Sequence, residues 1–187
     1  MKKSILYLVF AFISLCTYGQ KITTSEVDKF TGKKIVETSF EKIVTNKNIL
    51  VGVNKESLNK DVWIAFKGVD DNIFLRIKWA TNIVTSLNSD SNIIFLDEDD
   101  NPYTFFNTEY TITGKGEGTP SNKFVGSAMY GLDIYATGDY SVLKDKNIKA
   151  MRIYTTDGYV NFNIPKKRKS TLADTYKVFK SEYGNTQ

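Results

Sequence analysis

Four carboxylates and one amide occupy five consecutive positions, Asp97, Glu98, Asp99, Asp100 and Asn101. Oxygen donors at that density suit a hard cation such as calcium. The spacing departs from an EF-hand loop, because no glycine stands at the middle and no glutamate closes it. A charged hairpin turn that keeps its flanking strands soluble accounts for the same residues. A second acidic pair, Asp70 and Asp71, falls in another expected turn. The two turns would share a cation only if the fold set them at one end of a sheet. Calcium is the only cofactor these residues suggest.

What is missing narrows the chemistry further. The chain has no histidine, and its one cysteine is Cys16. Ser–His and Cys–His hydrolysis are excluded, as are typical zinc and copper sites. Carboxylate, lysine or tyrosine chemistry survives. No paired carboxylates stand out for glycoside hydrolysis, although any pair at the right separation would serve. Gly114-Lys-Gly-Glu-Gly118 is not a phosphate loop, since it lacks the Gly-Lys-Ser/Thr ending.

Aromatic residues make up 13% of the chain, which favours half-buried pleated surfaces and therefore strands. Some of them alternate away from the expected core. Tyr154 and Tyr159 flank an Asp157-Gly158 turn, and Trp63 and Phe74 lie on the less apolar faces of another hairpin. Such residues stack on sugar rings or bury in a partner interface. Strands covered on both faces would give the same pattern.

Residues 1–19 read as a removable signal peptide. Lys2 and Lys3 form a positive start, Ile5 to Leu15 form an apolar run too short to span a bilayer with normal flanks, and Thr17 and Gly19 precede a cut before Gln20. Lipidation of Cys16 would turn a soluble product into an anchored one, but Leu15 is a poor residue at that cleavage position. The expected location is the periplasm or the cell exterior. Removing Lys2 and Lys3 lowers the formal net charge from +4 to +2. An exported, nearly neutral domain is a poor partner for nucleic acid. The basic run Lys166-Lys-Arg-Lys169 would suit an anionic surface, or form the exposed first turn of a helix, where it would oppose the helix dipole.

The leader, ending Tyr-Gly-Gln, and the stretch Lys149-Ala-Met-Arg-Ile-Tyr-Thr-Thr-Asp-Gly-Tyr159 resemble uncharacterised exported proteins of the Bacteroidetes. The resemblance implies export and no particular activity.

The elements that must position these residues are mostly strands. Val62, Ile64 and Phe66 share one face of a run, and Ile73, Leu75, Ile77 and Trp79 share one face of the next, with Gly68 to Asn72 as a five-residue turn. Asn92 to Asp97 and Tyr103 to Asn107 form a second hairpin. The first half of Lys33 to Val44, then Glu109 to Thr113 and Phe124 to Ala136, add further strands, Ile49 to Val53 is a short apolar run, and Gly114 to Lys123 reads as a long loop. Ala150 to Thr155 and Tyr159 to Ile164 bracket Asp157-Gly158, a strong hairpin turn. Residues 21–32 are polar, with Thr31-Gly32 as a turn signal. Leu172, Tyr176, Phe179 and Tyr183 recur at helical spacing, which predicts a helix over 169–183.

The fold class is therefore mainly β, an antiparallel sandwich or barrel with one C-terminal helix, over residues 20–187. The favoured function is a non-enzymatic binding module for a protein or glycan. A barrel followed by one helix also resembles the lipocalins in element order, though without a Gly-x-Trp motif near the first strand, and implies a carrier of small apolar ligands or lipids. A carboxylate-dependent hydrolase is the third reading, and it requires a carboxylate with a raised pKa in a cleft.

Overall fold

The computed structural model describes residues 19–45, 61–81, 83–120 and 130–184. Chain order gives β1 (Ile22–Val27), β2 (Lys34–Thr38), β3 (Glu41–Val44), β4 (Val62–Val69), β5 (Asn72–Ala80), β6 (Ser86–Leu87) and β7 (Asn92–Asp97). There follow β8 (Pro102–Asn107), β9 (Thr111–Ile112), β10 (Gly114–Lys115), β11 (Tyr130–Thr137), β12 (Ile148–Thr155), β13 (Gly158–Asn163) and helix α1 (Thr171–Gly184). Short 3₁₀ turns lie at Tyr140–Leu143 and Lys166–Arg168. Eleven strands build one antiparallel sheet in the order β1-β2-β4-β5-β11-β8-β7-β12-β13, with β3 on β4 and β10 on β11. The remaining two, β6 and β9, pair with each other.

Alternation dictates which side chains go inside. Val62, Ile64 and Phe66 of β4, Leu75, Ile77 and Trp79 of β5, Ile93 and Phe95 of β7, and Met151 and Ile153 of β12 are all buried. The sheet curls strongly. Trp79 of β5 meets Phe162 of β13 edge to face with centroids 5.3 Å apart, although four strands separate β5 from β13 in the sheet. The two halves thus face each other like the layers of a sandwich, and the sheet does not close into a barrel. The barrel alternative is corrected accordingly. The space between the halves is filled by rings: Phe66, Tyr140, Phe105 and Phe95 form a chain of aromatic contacts.

Helix α1 closes the half built from β1 to β4. Leu172, Tyr176, Phe179 and Tyr183 are buried, as their spacing predicts. Gly68 makes this approach possible, because a Cβ there would stand 2.4 Å from the Tyr183 ring. The Tyr183 hydroxyl donates to the Asp70 carbonyl, tying the end of α1 to the β4–β5 turn. The basic run does not start the helix. Pro165 leads into the Lys166–Arg168 turn, α1 begins at Thr171, and Asp174 supplies the acidic residue that the dipole favours in a first turn. Among the described residues no helix is long and apolar enough to cross a membrane.

Three local expectations change. The β4–β5 turn has two residues rather than five, because Val69 pairs with Asn72 and Asp70 takes φ 50°. The β12–β13 turn is Thr156-Asp157, since Gly158 already pairs with Thr155 and takes φ 124°. Residues 22–27, read from the sequence only as polar, form an edge strand on β2, held by the ladder rather than by apolar burial, and the turn follows at Thr31-Gly32, where Gly32 takes φ 71°. The apolar run at Ile49 to Val53 and the start of the expected strand, over 124–129, lie outside the described residues.

Candidate functional site

The acidic turn is built inward. Asp97 ends β7 on the core side and is 3% exposed. Its Oδ1 accepts from the Asp99 and Asn101 backbone amides, and its Oδ2 from the Tyr103 hydroxyl at 2.8 Å. The Asn101 side chain donates to both oxygens. Asp97 is thus the organiser of its own turn. The neighbouring carboxylates diverge: Glu98 meets Lys169 at 2.8 Å and Asp100 meets Lys149 at 2.8 Å, while Lys146 lies 3.5 Å from Asp97. The β4–β5 turn is at the same end of the sheet, but Asp70 accepts from the Lys34 amide. Among the described residues no three acidic side chains converge as a metal site. The structure therefore does not assemble Asp97, Glu98, Asp99, Asp100 and Asn101 around a common centre.

This geometry makes a pH prediction. The Asn101 side-chain hydrogen bond, opposed by burial and aided by the Asn101 and Asp99 amides and the Tyr103 hydroxyl, holds the Asp97 carboxyl well below the usual carboxylate range. A carboxylate depressed in the folded state stabilises it above the unfolded pKa of about 3.9 and loses that contribution as pH falls toward the folded value. Asp97→Asn is expected to lower Tm by several degrees at pH 7. The gap to the wild type should narrow below about pH 4. Thermal melts from pH 7 to pH 2 check this, and a gap that stays constant would refute it.

The aromatic candidates separate into two groups. Trp63 and Phe74 lie on the outer face of the β4–β5 hairpin. Lys42 Nζ sits 4.5 Å from the Trp63 ring centroid, and Phe74 packs edge to face on Tyr135. Beside them is a groove of about 530 Å³ lined by Glu37, Phe40, Arg76 and Lys78 among others. Its charges already satisfy one another: Arg76 binds Glu37 at 2.5 Å and Asp133 at 2.6 Å, and Lys78 binds Asp133 at 2.8 Å.

Tyr154 and Tyr159 come together on the other half. They are cross-strand partners on β12 and β13, with ring centroids 5.8 Å apart. The same face carries residues that reasoning from the sequence passed over. Arg152 faces Asn161 on one side and Ile94 on the other, and Ala150 faces Asn163 and Leu96. Arg152 lays its guanidinium 4.1 Å from the Tyr159 centroid and donates from Nε to Asn161 Oδ1 at 2.7 Å. Beside this cluster is an open depression of about 450 Å³, with Ile94, Leu96 and Ala150 as an apolar floor and Arg152, Asn161 and Asn163 as polar walls. The available signal was parity. Ala150, Arg152 and Tyr154 share one face of a strand, as do Tyr159, Asn161 and Asn163.

The hydrolase reading needs a raised carboxylate, yet among the described residues the shifts resolved at carboxylates, Asp28, Asp97, Asp139 and Asp145, are all downward. Comparison with protein-family models, curated proteins and solved structures finds no match to this chain.

Proposed function

We propose that this protein is an exported, non-enzymatic binding module, acting in the periplasm or outside the cell, and that it binds glycan on the outer face of β7, β12 and β13. The observation that carries the reading is the Tyr154–Tyr159 pair standing with Arg152 and Asn161 beside an apolar-floored depression of about 450 Å³. A sugar ring offers an apolar C–H face and a polar rim, and aromatic rings with adjacent amides match both. Open and about 450 Å³ in volume, the depression suits a short stretch of saccharide better than the broad flat patch a protein partner covers. The leader at residues 1–19 supports export.

Tyr159 is 56% exposed, so its loss should disturb binding more than folding. Tyr159→Ala is expected to weaken binding to a retained polysaccharide by about tenfold or more with little change in Tm. Affinity electrophoresis through gels cast with a panel of soluble polysaccharides measures it. A chain that no polysaccharide in the panel retards would overturn the reading.

A further inference from the structure

The outer face of β8, β7, β12 and β13 forms three transverse rows. Pro102, Leu96, Ala150 and Asn163 make the first, and Thr104, Ile94, Arg152 and Asn161 the second. In the third, Phe106 stands opposite Asn92, and Tyr154 opposite Tyr159. Not one of these side chains is a carboxylate, in a chain with 21 acidic residues. The single charge on the face is Arg152. Lys42 on β3, Arg76 and Lys78 on β5 and Lys149 on β12 each have a carboxylate within 2.8 Å. Among the described residues, the contacts of the Arg152 guanidinium are instead the Asn161 amide and the Tyr154 and Tyr159 rings, all neutral.

Those neutral contacts hold the guanidinium in place and leave its charge unbalanced. Tyr159 supports its plane, and Asn161 takes the Nε hydrogen. Most of the donors at the outer fork remain unclaimed. A planar fork with unclaimed donors matches a carboxylate in a bidentate pair, which is stronger than a neutral hydrogen bond. The depression begins beside this fork, so a ligand seated on Ile94, Leu96 and Ala150 brings its own substituents to Arg152.

Building on the glycan reading, we infer that the bound saccharide is acidic, and that Arg152 receives the carboxylate of a uronic-acid unit while Asn161 and Asn163 meet its hydroxyls. The face then complements its ligand in charge as well as in shape. Binding weakens as salt rises, because the one ion pair lies near the surface.

The test compares three probes with the chain purified after expression from its own leader. These are polygalacturonate, the same polymer with its carboxyl groups reduced to alcohols, and a sulfated dextran. The expected result is retention by polygalacturonate, loss of at least about tenfold on carboxyl reduction, and a similar loss in Arg152→Gln, with Arg152→Lys between the two. Circular dichroism melts confirm that the variants fold. If the reduced polymer binds as well as the acid, or if Arg152→Gln binds unchanged, the inference fails while the glycan reading stands. Equal retention by the sulfated polymer overturns the assignment of a carboxylate. If no probe binds and no neutral polysaccharide binds either, the glycan reading itself has failed.

Discussion

Phe66→Ala is expected to cost about 4 kcal/mol of stability, the middle of the range for deleting a fully buried phenylalanine. Phe66 is completely buried on β4 and touches three other rings. Tyr140 meets it edge-on at 5.6 Å, Tyr176 lies at 5.2 Å, and Phe179 stacks at 5.8 Å. The first of these rings belongs to the 3₁₀ turn after β11 and the other two to α1. Phe66 therefore joins the helix to the sheet, and its removal opens a hole among large, stiff neighbours that cannot close it. For a chain of this size such a loss lowers Tm by roughly 10 °C. Urea unfolding should show a lower midpoint with an unchanged slope. Tyr140 offers a second readout. Burial pushes its hydroxyl up to about 12, so water entering the hole should bring its ionisation down toward the ordinary tyrosine value. Phe66→Leu, which keeps most of the volume, should lose less than half as much. A loss below about 1 kcal/mol for the alanine variant would show that the helix is not anchored through this ring.

The sheet was legible wherever one face is buried and the other is not. Val62, Ile64 and Phe66 against Trp63 and Lys67 mark β4, and Leu172, Tyr176, Phe179 and Tyr183 mark α1, because burial acts on every second or every third to fourth residue. The strand β1 was not legible. Its residues Thr23, Thr24, Ser25 and Glu26 bury little, and what makes them a strand is the ladder to β2, a partner that no local pattern reveals. The curl of the sheet was equally hidden. Whether Trp79 and Phe162 face each other or lie flat depends on accumulated twist over several strands. That twist, which no local pattern encodes, is what decides between sandwich and barrel.

The candidate site was half legible. Tyr154 and Tyr159 stand out as aromatics beside a hairpin turn, but the expected Asp157-Gly158 turn would set Tyr154 opposite Asn161, and only the observed Thr156-Asp157 turn makes the two tyrosines cross-strand partners. Arg152 did not stand out, because an arginine in a strand reads as a solvated position. What distinguishes it is the company it keeps: Asn161 across one ladder, Ile94 across the other, and no carboxylate within the rows of that face. The acidic run at Asp97 drew attention for its composition, yet its charges point apart. Density of carboxylates along a chain says little about convergence in space, since a lysine from β12 draws Asp100 one way and a lysine from the segment before α1 draws Glu98 another.

Arg76→Ala is expected to cost about 3 kcal/mol, because it strands carboxylates that the fold has already desolvated. The side chains of Arg76, Glu37 and Asp133 are only 14%, 18% and 13% exposed. Burial alone would lower the Arg76 pKa, but its hydrogen bond to Asp133 and the charges of Asp133 and Glu37 outweigh this and hold it above the ordinary value. The Phe40 and Tyr135 rings lie 5.0 Å and 4.9 Å from the guanidinium carbon, so the variant also loses packing on aromatic faces. Asp133 keeps Lys78 at 2.8 Å, which limits the damage on that side and leaves Glu37 as the worse-placed group. Arg76→Lys keeps the charge but cannot bridge two carboxylates with one fork, so it should fall between wild type and alanine. Tyr135 distinguishes this account from a general loosening of the sheet. Burial raises its hydroxyl pKa and the Arg76 charge partly offsets that rise. Removing the arginine should therefore move Tyr135 ionisation to still higher pH, whereas loosening would move it down. Urea unfolding together with an ultraviolet tyrosine titration checks both parts. Unchanged stability with an unshifted Tyr135 would mean that Arg76 is no more than a surface charge.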